Sequence, residues 1–260
     1  MSVGIITGII GSVVGLAVLG YCFKNAVKFK NNWYHRKMTN QNIIAIIHSA
    51  NASILSLGGD TMIGLNTHIE FIKNYNKMDK DKDIHIILHT TGGALSSAES
   101  ICNCIANHAG KGKIIAYIPY YSYSGGCMIA LACDKIVMAK NAILGPCDAQ
   151  KASLTTQYSV ASVIDTVNYK KENKEKIKEE WLAHSYDANL CKDRQKKYVE
   201  KLMKCGHFTE NIGNKIYEEF FSGKYNHDKI FSAADAIELG INVDTVDIMP
   251  ELIKNIVYDI

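Results

Sequence analysis

The sequence predicts an α/β domain with a mostly parallel sheet, and three observations carry that prediction. From residue 40 onward, short β-rich runs alternate with helical patterns. The runs are largely apolar, as strands covered on both faces are. Two of them lead into Gly-Gly turns that open helical patterns. With 260 residues, 47% of them hydrophobic and only 3 prolines, the chain is long and apolar enough for a sizeable core.

The first element is an uncharged start over residues 1–23. As a helix, residues 3–23 would span about 31 Å, the thickness of a bilayer core. Lys24, Lys28, Lys30, Arg36 and Lys37 follow, with Tyr21, Trp33 and Tyr34 as interfacial aromatics. A cleaved signal peptide would carry positive charge ahead of the apolar stretch, and Met1-Ser2 brings only the terminal amine. The expectation is an uncleaved single-pass anchor over 1–23 and a basic juxtamembrane linker over 24–40. Because the charges follow the span, the domain over 41–260 is expected on the cytosolic face.

Within that domain, residues 42–47, 84–89, 114–120 and 135–138 read as buried strands. Helical patterns lie around 69–75, over 95–108, where Ala98, Ile101, Cys102 and Ile105 share an apolar face, and over 125–131. After residue 150 the composition shifts toward helix. The Lys/Glu-rich run 170–180 reads as a solvated helix surface. Patterns around 192–203 and 214–221 follow, then 232–240, a capped helix ending at glycine. One domain with a helical C-terminal half accounts for all of this, and no internal repeat is evident.

A net charge of +3 is too small an excess to argue for nucleic acid, and 27 lysines against 2 arginines disfavour forked phosphate recognition. The 8 cysteines sit largely in apolar runs without a Cys-x-x-Cys pair, the pattern of buried thiols in a reducing compartment. No Cys/His set has zinc spacing and no Gly-x-x-x-x-Gly-Lys-Ser/Thr loop occurs, so neither a metal nor a nucleotide cofactor is expected.

Two turns carry the chemistry. In His89-Thr90-Thr91-Gly92-Gly93, a strand runs into a turn whose backbone N–H groups can face an anion. In Tyr123-Ser124-Gly125-Gly126, a serine sits between a strand end and a helix start with its hydroxyl projecting. Each alone is weak, because serine and glycine are ordinary turn residues. Together, on neighbouring βα units, they read as a nucleophile and an oxyanion hole.

Further segments join these two: Met128-Ile129-Ala130-Leu131-Ala132, Asp134-Lys135-Ile136-Val137-Met138, Leu144-Gly145-Pro146-Cys147-Asp148-Ala149-Gln150, Ser222-Gly223-Lys224-Tyr225-Asn226-His227-Asp228 and Ala236-Ile237-Glu238-Leu239-Gly240. In this order they resemble the Clp-protease/crotonase superfamily. The resemblance is closer to the serine dehydrogenase proteinase family, membrane-anchored relatives of signal peptide peptidase A. It covers most of residues 40–255. Departures are Thr91, where the family usually has proline, and Cys127 and Cys147 in place of other small residues. The resemblance implies a repeated ββα spiral domain behind a transmembrane helix, assembled as a closed homo-oligomer.

It also implies Ser124 as nucleophile, with Gly93 and Gly125 supplying oxyanion N–H groups and Gly92 the alternative to Gly93. Clp-type subunits place their histidine near the position of Ala149, and no histidine stands between His108 and His184 here. A triad ordered serine, aspartate, histidine fits Ser124, Asp148 and His227, with Asp228 the alternative acid. A serine–lysine dyad of the signal peptide peptidase kind would use Lys170, 46 positions after Ser124. Such a lysine must be partly desolvated to lose its proton near neutral pH.

The activity implied is a membrane-anchored serine peptidase cleaving extended peptides laid beside Gly92 and Gly93. An inactive membrane scaffold on the same fold is the alternative. An acyl-CoA enzyme of crotonase type fits less well, since crotonases stabilise an enolate without a nucleophile. His48 and His89 read as structural strand-end histidines.

Overall fold

A computed structural model of the chain describes residues 41–48, 61–152 and 157–257. The expected anchor (1–23) and basic linker (24–40) lie outside the described residues. Among the described residues, no helix is long and apolar enough to cross a membrane.

The chain opens with β1 (Ile43–Ile47), α1 (Leu65–Tyr75), β2 (Ile84–His89), α2 (Leu95–Ala106) and β3 (Ile114–Ile118). Next come the two-residue β4 (Tyr121–Ser122), α3 (Gly125–Leu131), β5 (Lys135–Ala139) and β6 (Ile143–Leu144). A small hairpin, β7 (Gln150–Ala152) and β8 (Gln157–Ser159), leads into α4 (Val160–Glu172) and the 26-residue α5 (Glu179–Lys204). Then follow α6 (Glu210–Ile216), a π-helical turn (Tyr217–Phe221), α7 (Ala233–Glu238), β9 (Val243–Val246) and α8 (Glu251–Val257).

Five strands form a parallel sheet in the order β1-β2-β3-β5-β9. Their near-continuous apolar sequences follow from cover on both faces. Ile86, Leu88, Ala116, Ile118 and Met138 belong to the main core with α1, α2 and α3. On the other face Ile87, Tyr117 and Val137 pack against Met249, Ile253 and Ile256 of the C-terminal segment.

At the carboxyl ends of the central strands the chain makes a second, smaller layer. β4 pairs in parallel with β6, and Thr90 bridges Ser122. From β3 the chain thus runs strand, short outer strand, helix, one unit of the ββα kind expected.

The helical half differs from its expected outline in two places. The Lys/Glu-rich run is not one solvated helix: α4 ends at Glu172, and Lys174 takes a positive φ of 54° in the turn before α5. β9 was not anticipated, because two exposed polar residues stand between its valines and only Val243 is buried. The capped helix is present, with Ser232 and Asp235 capping reciprocally and Gly240 closing at φ 88°.

Candidate active site

Ser124 stands between β4 and α3 with φ 50° and ψ −120°, a conformation that a non-glycine residue holds only when its surroundings enforce it. Its N–H donates to Pro146 O (3.1 Å) and its carbonyl accepts from Met128 N (3.0 Å). All seven residues of α3 are buried, so the turn cannot relax by moving the helix. The hydroxyl makes no capping bond to that helix.

Beside it runs the turn after β2. Gly92, at φ 100°, lies so near that a Cβ there would come within 2.6 Å of Ser124 Cβ. The Gly92 N–H is already spent, donating to Thr90 Oγ1 at 3.0 Å. Gly93 packs on Ile63, where a Cβ would meet the backbone oxygen. Neither Gly93 N–H nor Gly125 N–H has an acceptor among the described residues, and the two glycines lie against each other. Of the two alternatives at this turn, Gly93 therefore carries the available donor. Ile63 N–H donates to Gly92 O (2.7 Å) and Ala94 N–H to Ile63 O (2.8 Å). Ile63 thus occupies the edge of Gly92 and Gly93 that was expected to receive an added strand.

Pro146 to Gln150 form the facing wall. Asp148 is 3% exposed, and its Oδ1 pairs with His227 Nδ1 at 2.6 Å. Its Oδ2 accepts from Gln150 Nε2 at 2.7 Å. His227 comes from the segment between the π-helical turn and α7. That segment is clamped at both ends: Cys147 N–H donates to Phe220 O, and Leu144 and Phe231 exchange two backbone bonds (2.9 and 2.8 Å). Phe220 and Phe231 stack at 4.3 Å beneath it. From α5, Gln195 Nε2 donates to Cys147 O (2.6 Å) and Tyr198 Oη to Met128 O (2.7 Å). The sequence reading had not singled out Gln150, Gln195 or Tyr198. A polar side chain inside an apolar helical stripe was the available signal for Gln195 and Tyr198.

Ser124, Gly93, Gly125 and His227 line one cleft of about 550 Å³, with Met62, Leu95, Met128, Cys147, Ala149 and Cys191 as its apolar walls. Burial raises the Cys147 thiol well above its usual range and raises Cys191 as well, so both stay protonated. Lys170 lies on the outer part of α4, pairs with Glu175 Oε2 at 2.9 Å, and is absent from the cleft lining. Asp228 is exposed and also absent from the lining. Its charge adds to the desolvation that raises the Tyr123 hydroxyl. His48 Nδ1 lies 2.7 Å from Thr90 Oγ1, and His89 packs against Tyr121 at 4.2 Å, both at strand ends.

Two curated relatives, the uncharacterised proteins MJ0137 and MJ1495 of Methanocaldococcus jannaschii, are similar to this chain. MJ0137 is 30% identical over 79% of this chain and 69% of its own length. MJ1495 is 32% identical over 78% of this chain and 66% of its own length. The match thus spans about two thirds of each relative. Among solved structures, a membrane-bound stomatin-specific protease, studied as a lysine-to-alanine variant with a substrate peptide, superposes with TM-score 0.50 at 19% identity. That likeness covers 82% of this chain and 77% of the other, and it shows the fold. The family model described as ClpP-like SDH-type serine proteinase matches residues 25–258. The chain belongs to that family of serine proteinases.

Proposed function

We propose that this chain is a membrane-anchored serine peptidase working through a Ser124–His227–Asp148 triad. The observation that carries the reading is the 2.6 Å bond from His227 Nδ1 to buried Asp148, made at the cleft that Ser124 also lines. With Nδ1 held by the carboxylate, Nε2 is the nitrogen left to take the Ser124 proton. Ser124 Oγ attacks the scissile carbonyl carbon, and the oxyanion is received by Gly93 and Gly125 N–H. Collapse breaks the C–N bond, and the imidazolium returns its proton to the leaving amine. Water, deprotonated by the same nitrogen, then releases the acid product from the acyl-enzyme.

Lys170 is the weaker candidate for the base. Its ammonium is engaged by Glu175 and it does not line the cleft that Ser124 and His227 share. The anchor reading rests on residues 1–23 and the basic cluster behind them. Self-association is supported by Leu182, Tyr186 and Leu190, exposed at 41%, 67% and 52% along one face of α5.

A fluorophosphonate probe tests the activity. The full-length protein is expected to label at Ser124, and Ser124→Ala to lose both labelling and peptide cleavage. A wild-type protein that neither labels nor cleaves would leave the inactive scaffold as the better reading.

A further inference from the structure

Asp148 receives two donors, and the triad uses only one of them. Gln150 Nε2, 2.7 Å from Asp148 Oδ2, holds the oxygen that His227 does not touch. At 3% exposure the carboxylate is cut off from bulk water. Its terminal torsion is intrinsically broad, so a bond to Oδ1 alone leaves the group free to swing about Cβ–Cγ. A second donor on Oδ2 pins the plane and with it the lone pair aimed at His227 Nδ1.

Gln150 is itself held: it is the first residue of β7, paired in register with Ser159 of β8, and Ser159 caps α4 through Ser162 N–H at 3.0 Å. The amide is also neutral. A lysine or arginine here would orient the carboxylate equally well but would compensate its charge, weakening its hold on an imidazolium. An uncharged donor orients without that competition.

We infer that Gln150 is a positioning residue that fixes the Asp148 carboxylate, and through it the His227 ring, for proton transfer at Ser124. Its effect on turnover rests on the peptidase reading; its effect on the Asp148–His227 bond does not.

The test therefore reads both, on full-length protein in detergent. Proton NMR follows the low-field Nδ1–H resonance of the His227–Asp148 bond, assigned by its loss in His227→Ala. Gln150→Met is expected to shift that resonance or broaden it through exchange. In peptide hydrolysis, kcat is expected to fall roughly 10- to 100-fold, as when a partner orienting a functional ligand is lost, with KM within about threefold. Gln150→Glu, though closer in shape, should fall further, because it sets a like charge against Asp148. A space-filling role predicts the reverse order. An unchanged resonance in Gln150→Met, or a loss shared by kcat and KM that follows thermal stability, overturns the inference. If wild type hydrolyses nothing while the resonance still responds to Gln150→Met, the peptidase reading fails and the positioning of Asp148 stands.

Discussion

Ser124 and His227 face one cleft, yet the chain brings them there by opposite routes. The serine is placed locally: β3, β4 and α3 follow one another within residues 114–131, and the neighbouring turn at Gly92 completes its seat. The histidine belongs to a segment without regular structure and reaches Asp148 from 79 positions away. What fixes it is tertiary, namely the Leu144–Phe231 bridge, the Phe220–Phe231 stack and the braces from α5. A strained backbone can aim a side chain from a handful of neighbours, whereas a side chain on an irregular segment needs docking contacts from several elements.

The sharpest way to break this contrast is to remove the docked partner. His227→Ala should lower kcat/KM by roughly 10⁴-fold or more, close to the loss in Ser124→Ala, since members of one catalytic unit fail together. The double variant should be little worse than either single one. On the local side, Gly92→Ala puts a methyl 2.6 Å from Ser124 Cβ at a φ of 100°. Displacing the serine by a fraction of an ångström should cost about 10²-fold in kcat, measured beside probe labelling.

Tyr198→Phe probes the seam between the two regions. Met128 O keeps a helical donor in Ala132 N–H, so denaturant unfolding should report a loss of only about 1 kcal/mol. Smallest of all is Lys170→Ala. Its pair with Glu175 is 39% and 45% exposed, so stability should change by less than about 0.5 kcal/mol and turnover should persist. Abolished turnover in that variant would replace the triad by the serine–lysine dyad.

The same contrast explains what the sequence disclosed. The parallel core was legible because Ile84–His89 and Ile114–Ile118 are covered on both faces and so are dominated by apolar residues. Helix α3 was legible down to its ends, Gly125 and Leu131, because the Gly-Gly turn punctuates it. By contrast, β9 offers one buried residue in four, and its pairing with β5 is imposed by the sheet edge. The first half of α5 went unread because its buried residues, Ser185 and Ala188, are small and weakly apolar and form a stripe only against α4. At the site, the tight turn that holds Ser124 was legible from the glycine pair behind it. Choosing between Gly92 and Gly93 required knowing that Thr90 takes the first amide. Gln150 escaped because nothing in a polar residue two places past an aspartate tells which way its amide turns.

The position of β9 has a consequence for the chain's birth. It joins the sheet beside β5, so the strand that finishes the sheet emerges from the ribosome more than a hundred residues after its neighbour. At about 5–20 residues per second, that delay is on the order of 5–20 s. Throughout the interval the β5 edge is open to foreign strands, an invitation to aggregation that a nascent-chain chaperone would be suited to cover. His227 also arrives late in the same interval. Under the triad reading, the nascent polypeptide holds a primed serine without its base, and a protease built this way stays harmless to its own translation machinery until residue 227 is in place.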